Sequence, residues 1–181
     1  MKKTIITIIA TVLVCCTVMG GTLAYLMDKT ASIENTFTVG KVDIDLTEEN
    51  EGPYKMIPGS TITKDPLLTV NPGSEACYVF VKIEETDQAD ALLNWTIGAG
   101  WTQLKDDSDA DVKGVFYREQ AAIAEDGAAA TYPVFLNDTV TVVNTLAADT
   151  DTDDCKITIT GYAVQSDNVA DAYAAWQIAN T

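Results

Sequence analysis

The side chains able to do chemistry are marked first by an absence: the 181-residue chain has no histidine. A zinc protease of the HExxH kind needs two imidazoles one helical turn apart and a glutamate base, so that motif cannot be built. Serine and cysteine triads lose their usual base for the same reason, and no Asp-Thr-Gly sequence suggests an aspartic protease. Zinc would have to be held by carboxylates and by Cys77 and Cys155, a poor catalytic donor set. A carboxylate-only glycosidase stays open, although 27 acidic residues supply carboxylate pairs by chance. The run DTDTDD alternates carboxylates at Asp149, Asp151 and Asp153, as some calcium loops do. It lacks the central glycine and distal glutamate of an EF-hand loop. Calcium there competes with a solvated hairpin turn, which is also the plain reading of Asp106–Asp111. No other cofactor is expected. Trp95, Trp101 and Trp176 could stack on a sugar, but core packing is the commoner use of such rings.

The elements that must position these residues read as strands. Cys77–Glu85 alternates Cys/Val/Val/Ile against Tyr/Phe/Lys/Glu and predicts a central strand, entered through the turn Asn71-Pro72-Gly73-Ser74. Thr36–Leu46 is the first patterned strand region; its phase changes at Gly40, from Phe37 and Val39 to Val42, Ile44 and Leu46, which suggests a bulge. Ile62–Val70 is extended but interrupted by Pro66, as suits an edge or a strand start. Strands are also expected at Asn94–Ile97, Trp101–Leu104, Val112–Arg118, Thr131–Leu136, Thr139–Val143 and Cys155–Val164. Asp87–Leu93 reads as a short helical turn, and Glu119–Ala130 as helix or loop. The last element is a helix with Asn168 as candidate N-cap and an apolar stripe of Val169, Tyr173 and Trp176. Eight to ten short strands at frequent turn spacing predict an all-β sandwich over residues 37–181.

Compartment and charge narrow the function classes. Lys2 and Lys3, an apolar run from Thr4 to Met19 and small residues up to Ala24 have the form of a secretory signal peptide, with cleavage expected between Ala24 and Tyr25. The apolar run is short for a membrane span, so the mature form is not expected to cross a membrane. Cys15 and Cys16 do not make a lipobox, because Val14 stands where a small residue is required. Losing Lys2 and Lys3 with the leader takes the formal charge from −16 to −18. Such an excess repels nucleic acid and anionic membrane and keeps copies apart until salt, acid or cations screen it. Alternation points both Cys77 and Cys155 inward; an exported chain permits their disulfide, with two buried free thiols as the other reading.

Three stretches carry a family resemblance. GGTLAYL followed by NTFTVGKVDIDL, then MIPGSTITKDPLLTVNPGSEACYVFVKIEE, then the terminal ITITGYAVQSDNVADAYAAWQIA, resemble the TasA/camelysin family of exported Gram-positive surface and biofilm-matrix proteins. Residues 89–154 carry no usable likeness. The resemblance implies a jelly-roll variety of sandwich with peripheral helices. It also implies assembly into fibres by a donor strand, in which one subunit's freed N-terminal segment completes the next subunit's sheet. That donor is expected at residues 25–36, with Tyr25, Leu26, Met27 and Ile33 as its apolar anchors. The partners would then be the chain itself, a signal peptidase during export and an accessory or anchor protein, at the cell surface or in the extracellular matrix. Camelysin-like proteins also carry a metallo-endopeptidase label, which the missing histidine disfavours here. A monomeric adhesin or carbohydrate-binding module is the third reading.

Overall fold

The computed structural model describes residues 40–181, apart from 51, 53, 148, 149 and 151. In chain order the strands are β1 (Ile44–Thr47), β2 (Thr61–Thr63), β3 (Leu67–Val70) and β4 (Cys77–Glu85). Helix α1 (Asp87–Leu92) leads to β5 (Leu93–Asn94), β6 (Thr102–Lys105), β7 (Asp111–Gln120) and β8 (Ala130–Pro133). A 3₁₀ turn at Leu136–Asp138 precedes β9 (Thr139–Val142), β10 (Ile157–Gln165) and helix α2 (Ala172–Ala179). All belong to one unit, Val39–Thr181.

The architecture is all-β, in three antiparallel sheets. One has the order β10-β4-β7-β6; the others are β1-β3-β8 and β2-β9-β5. The two smaller sheets share two crossings: the chain passes from β2 to β3, and from β8 to β9. Pro66 stands at the first crossing. The single extended run predicted for Ile62–Val70 is therefore two strands in different sheets, because proline cannot donate into a ladder and ends the pairing of Thr61–Thr63. The second crossing turns through Asn137 and Asp138, both at positive φ (56° and 55°), a conformation that asparagine and aspartate tolerate.

The main core lies between the four-stranded sheet and the two smaller ones. Val79, Val81 and Ile83 of β4 meet Leu68 and Val70 of β3, Val140 of β9, and Val134 and Phe135. Each such buried side chain contributes roughly 1.5–3 kcal/mol relative to exposure. The central strand Cys77–Glu85 falls where its alternation places it, with β10 and β7 as neighbours. Its other face is not left to solvent: Phe80 is also fully buried, beneath Ala172, Ala175 and Trp176 of α2. Phe80 and Trp176 have ring centroids 5.5 Å apart.

Several local expectations need correction. Gly40 precedes β1 and is no bulge within it, and the earlier part of that phase change, at Phe37, lies outside the described residues. Of the helix or loop expected over Glu119–Ala130 the structure has the loop, between β7, which runs on to Gln120, and β8, which begins at Ala130. Helix α2 is capped by Asp171, whose carboxylate accepts from the Ala174 amide at 2.8 Å. Asn168 sits three residues earlier at φ 63°, in the turn that delivers the chain to the helix. Val169, Tyr173 and Trp176 all pack on the second core, but Val169 does so from the turn before the helix, so only Tyr173 and Trp176 of the expected stripe are helical.

Candidate functional site

Two sheet edges meet along one flank of the sandwich. Among the described residues β10 pairs with β4 alone, and β1 pairs with β3 alone. Gly161 fixes how β1 approaches the inward face of β10. A Cβ there would lie 3.0 Å from Leu68 Cδ1, 3.7 Å from Ile44 Cδ1 and 3.9 Å from Leu46 Cβ. Ile44 and Leu46 of β1, with Ile157 and Ile159 of β10, line this seam half-buried against the main core.

Toward the start of β10 the seam widens into two adjoining clefts. One, about 210 Å³, is lined by Leu46, Thr47, Glu48, Lys64, Pro66, Ile157 and Ile159. The other, about 460 Å³, shares Lys64 and Ile157 and adds Tyr54, Met56, Ile62, Leu93 and Val140, with Asp153, Cys155 and Lys156 at its rim. Lys64 Nζ lies 2.8 Å from both carboxylate oxygens of Glu48, and the two side chains are only 15% and 18% exposed. Lys64 also stands 5.6 Å from the centre of the Tyr54 ring. The Tyr54 hydroxyl donates to the Asn50 carbonyl and to Glu48. Burial, followed by the Glu48 charge, pushes the Tyr54 phenol up to about 12. The only charges lining the smaller cleft are thus paired, and the rest of its wall is apolar apart from Thr47. Chemically, this flank offers an apolar floor beside strand edges with unpaired backbone groups, the combination that accepts an extended segment.

The predicted site residues fall unevenly on this picture. Ala24, Tyr25, Leu26, Met27 and Ile33 lie outside the described residues, as do Asp149 and Asp151. Asp153 is described and stands at the rim of the larger cleft. The cluster at Asp106 is a hairpin turn: its carboxylate accepts from the Ser108 amide, the Ser108 hydroxyl and the Ala110 amide at 2.8, 2.8 and 3.0 Å. These bonds, the hydroxyl's first, hold the Asp106 carboxyl below its ordinary range. The tryptophans serve packing. Trp101 and Trp176 are buried, and Trp95 lies against Phe135 with its N–H given to Glu85.

Of the two readings left open for Cys77 and Cys155, the structure shows free thiols rather than a disulfide. In the β4–β10 ladder Cys77 faces Gln165 at one end, whereas Glu85 faces Ile157, beside Cys155, at the other. Eight strand residues separate the ends, about 26 Å, against the roughly 6 Å a disulfide requires. The inward direction holds for Cys77 alone. Cys155 precedes β10 and is half-buried at the cleft rim. Residues for a catalytic zinc are not assembled either: among the described residues no three of His, Cys, Asp and Glu group to hold a metal. The two thiols that could have joined such a set stand at opposite ends of a strand.

Sequence reasoning missed the seam and the Glu48–Lys64 pair that closes one end of it. Edge strands are identified by what they do not pair with, and pairing is not written in alternation. A usable signal was the small residue Gly161 inside an otherwise strongly patterned strand, which marks close approach of another backbone.

No helix among the described residues is long and apolar enough to cross a membrane. No curated protein and no solved structure matches the chain. A family model described as "Camelysin metallo-endopeptidase" matches residues 1–88 and supports placing the chain in the camelysin/TasA family.

Proposed function

We propose that the chain is an exported structural subunit that polymerises head to tail, with residues 25–36 of one copy lying along β10 in the seam of the next. The family assignment supports an exported protein. The observation that carries the finer reading is the seam itself, in which β1 and β10 present edges unpaired among the described residues, over half-buried Ile44, Leu46, Ile157 and Ile159. An added strand would satisfy the edge's backbone groups and complete the burial of those side chains. The donor sequence alternates suitably: Tyr25, Met27, Ala31 and Ile33 share one parity, with Lys29 the one charge among them. A contact of this kind joins two different surfaces and propagates without closing. Before cleavage the leader would hold the donor at the membrane, so processing releases it.

Negative-stain microscopy of the chain beginning at Tyr25, over a range of pH and salt, tests this reading. Filaments whose growth rises as the negative charge is screened support it; a protein monomeric under every condition refutes it. The metallo-endopeptidase description of the matching family keeps a second reading in play. Casein cleavage that follows the pure protein and stops with chelator would establish it.

A further inference from the structure

Arg118 is the only arginine in the chain. It lies on β7 with the same parity as Phe116, which is half-buried against the main core, and its side chain stacks on Tyr132 of β8. Its guanidinium carbon is 3.6 Å from the centre of the Tyr132 ring and 5.3 Å from that of Trp101. Both rings are fixed independently. The Trp101 N–H donates to the Pro133 carbonyl at 2.9 Å, and the Tyr132 hydroxyl bonds to Gln120. Gly100, at φ 83°, leaves the guanidinium its place, since a Cβ there would lie 2.7 Å from Nη2.

What this arrangement lacks is an acceptor. In a chain with 27 acidic residues, no described carboxylate pairs with Arg118, and none of its hydrogen-bond donors has a described partner. Nε is enclosed and without a partner, while the terminal nitrogens are not enclosed. Stacking uses the face of a guanidinium and leaves its edge, the fork that matches a carboxylate with two parallel bonds. The sheet orders place this flank opposite the seam: β1 and β10 are the edges at one side, β8 and the β7–β6 pair at the other.

We propose that Arg118, stacked on Tyr132 and Trp101, is a recognition site for a carboxylate bound at the open edge of its guanidinium. The same chemistry has two sources, a small organic acid or an acidic side chain of a second copy of the chain. Being the sole arginine, Arg118 gives a single Nε–H resonance in a ¹⁵N-labelled protein. The chain beginning at Tyr25, kept at low salt, is titrated with sodium acetate against sodium chloride at equal ionic strength, and separately diluted without acetate. A saturable shift of that resonance with acetate alone assigns a small carboxylate. A shift that saturates with protein concentration, with self-association weakened about tenfold or more in Arg118→Gln, assigns the second copy. Arg118→Lys keeps the charge and the fold, checked by circular dichroism, but loses the fork, and should weaken self-association and the acetate response read at the Trp101 indole N–H, which both proteins carry. A resonance unmoved by acetate and by concentration, or moved equally by chloride, overturns the proposal and leaves Arg118 as a packing stack.

Discussion

Gly161 on β10 and Leu68 on β3 pack so closely that a Cβ on the glycine would lie 3.0 Å from Leu68 Cδ1. Leu68 is fully buried and has little room to yield. Overpacking costs about 1–3 kcal/mol, and replacing a strand glycine returns about 0.5–1 kcal/mol of backbone entropy. Gly161→Ala should therefore lose about 1 kcal/mol of stability in urea unfolding. It should also slow fibre growth, because the added methyl pushes toward Ile44 and Leu46 in the seam.

Gly114→Ala should cost more. Gly114 has φ 69°, and a Cβ there would meet the Ile83 carbonyl oxygen at 2.2 Å, a backbone atom that cannot swing aside. The pairing of β7 with β4 reaches Val115 opposite Lys82 and stops there. A strained backbone of this kind costs about 1–3 kcal/mol before the clash is counted. Chemical denaturation should show a loss of at least about 2 kcal/mol, with unchanged circular dichroism in whatever fraction folds.

The caps of α2 separate two neighbouring residues. Asp171→Ala removes the acceptor for the Ala174 amide and should destabilise by about 1 kcal/mol. Asn168→Ala loses no capping bond and should cost less, through its left-handed φ of 63° alone. Thermal unfolding of both variants checks the order.

The two thiols should behave differently. Cys77 is 1% exposed and burial pushes it up to about 11, whereas Cys155 is half-buried at a cleft rim. Iodoacetamide should label Cys155 in the native chain and Cys77 only after unfolding, and reductant should leave the melting temperature unchanged. The sign of the pH dependence follows. The unfolded Cys77 thiol ionises near 9.0 and the folded one near 11, so across that window the folded state binds more protons. Stability should fall as pH rises from about 9 to 11. A rise over that range would contradict the burial of Cys77.

Much of this fold was legible because alternation is a local signal. Cys77–Glu85 alternates strongly enough to be bounded to the residue, and Pro72-Gly73 marks its entry turn. What alternation does not encode is which strands become neighbours. Thr61–Thr63 and Leu67–Val70 read as one run, yet Pro66 delivers them to different sheets. Phe80 has the parity of the outward residues of β4 and is nevertheless buried, because a helix more than ninety residues later lies across it. Whether Cys77 and Cys155 pair was open for the same reason: alternation speaks to each thiol's direction, but only the antiparallel register puts them at opposite ends. The seam belongs to the same class of information. Ile44, Leu46, Ile157 and Ile159 look like ordinary core positions until the edges beside them are known.

Peptide capping of the seam distinguishes donor-strand assembly from any other mode of association. A chain beginning at Asn35 is mixed with a synthetic peptide of residues 25–36, and backbone amide exchange is followed residue by residue. This chain should stay folded and should not polymerise alone. The peptide should saturate at one per chain, with new protection along Ile157–Gln165 or the facing edge at Ile44–Thr47. Ordered fibres from the shortened chain without peptide, or protection that leaves both edges unchanged, would contradict donor-strand assembly.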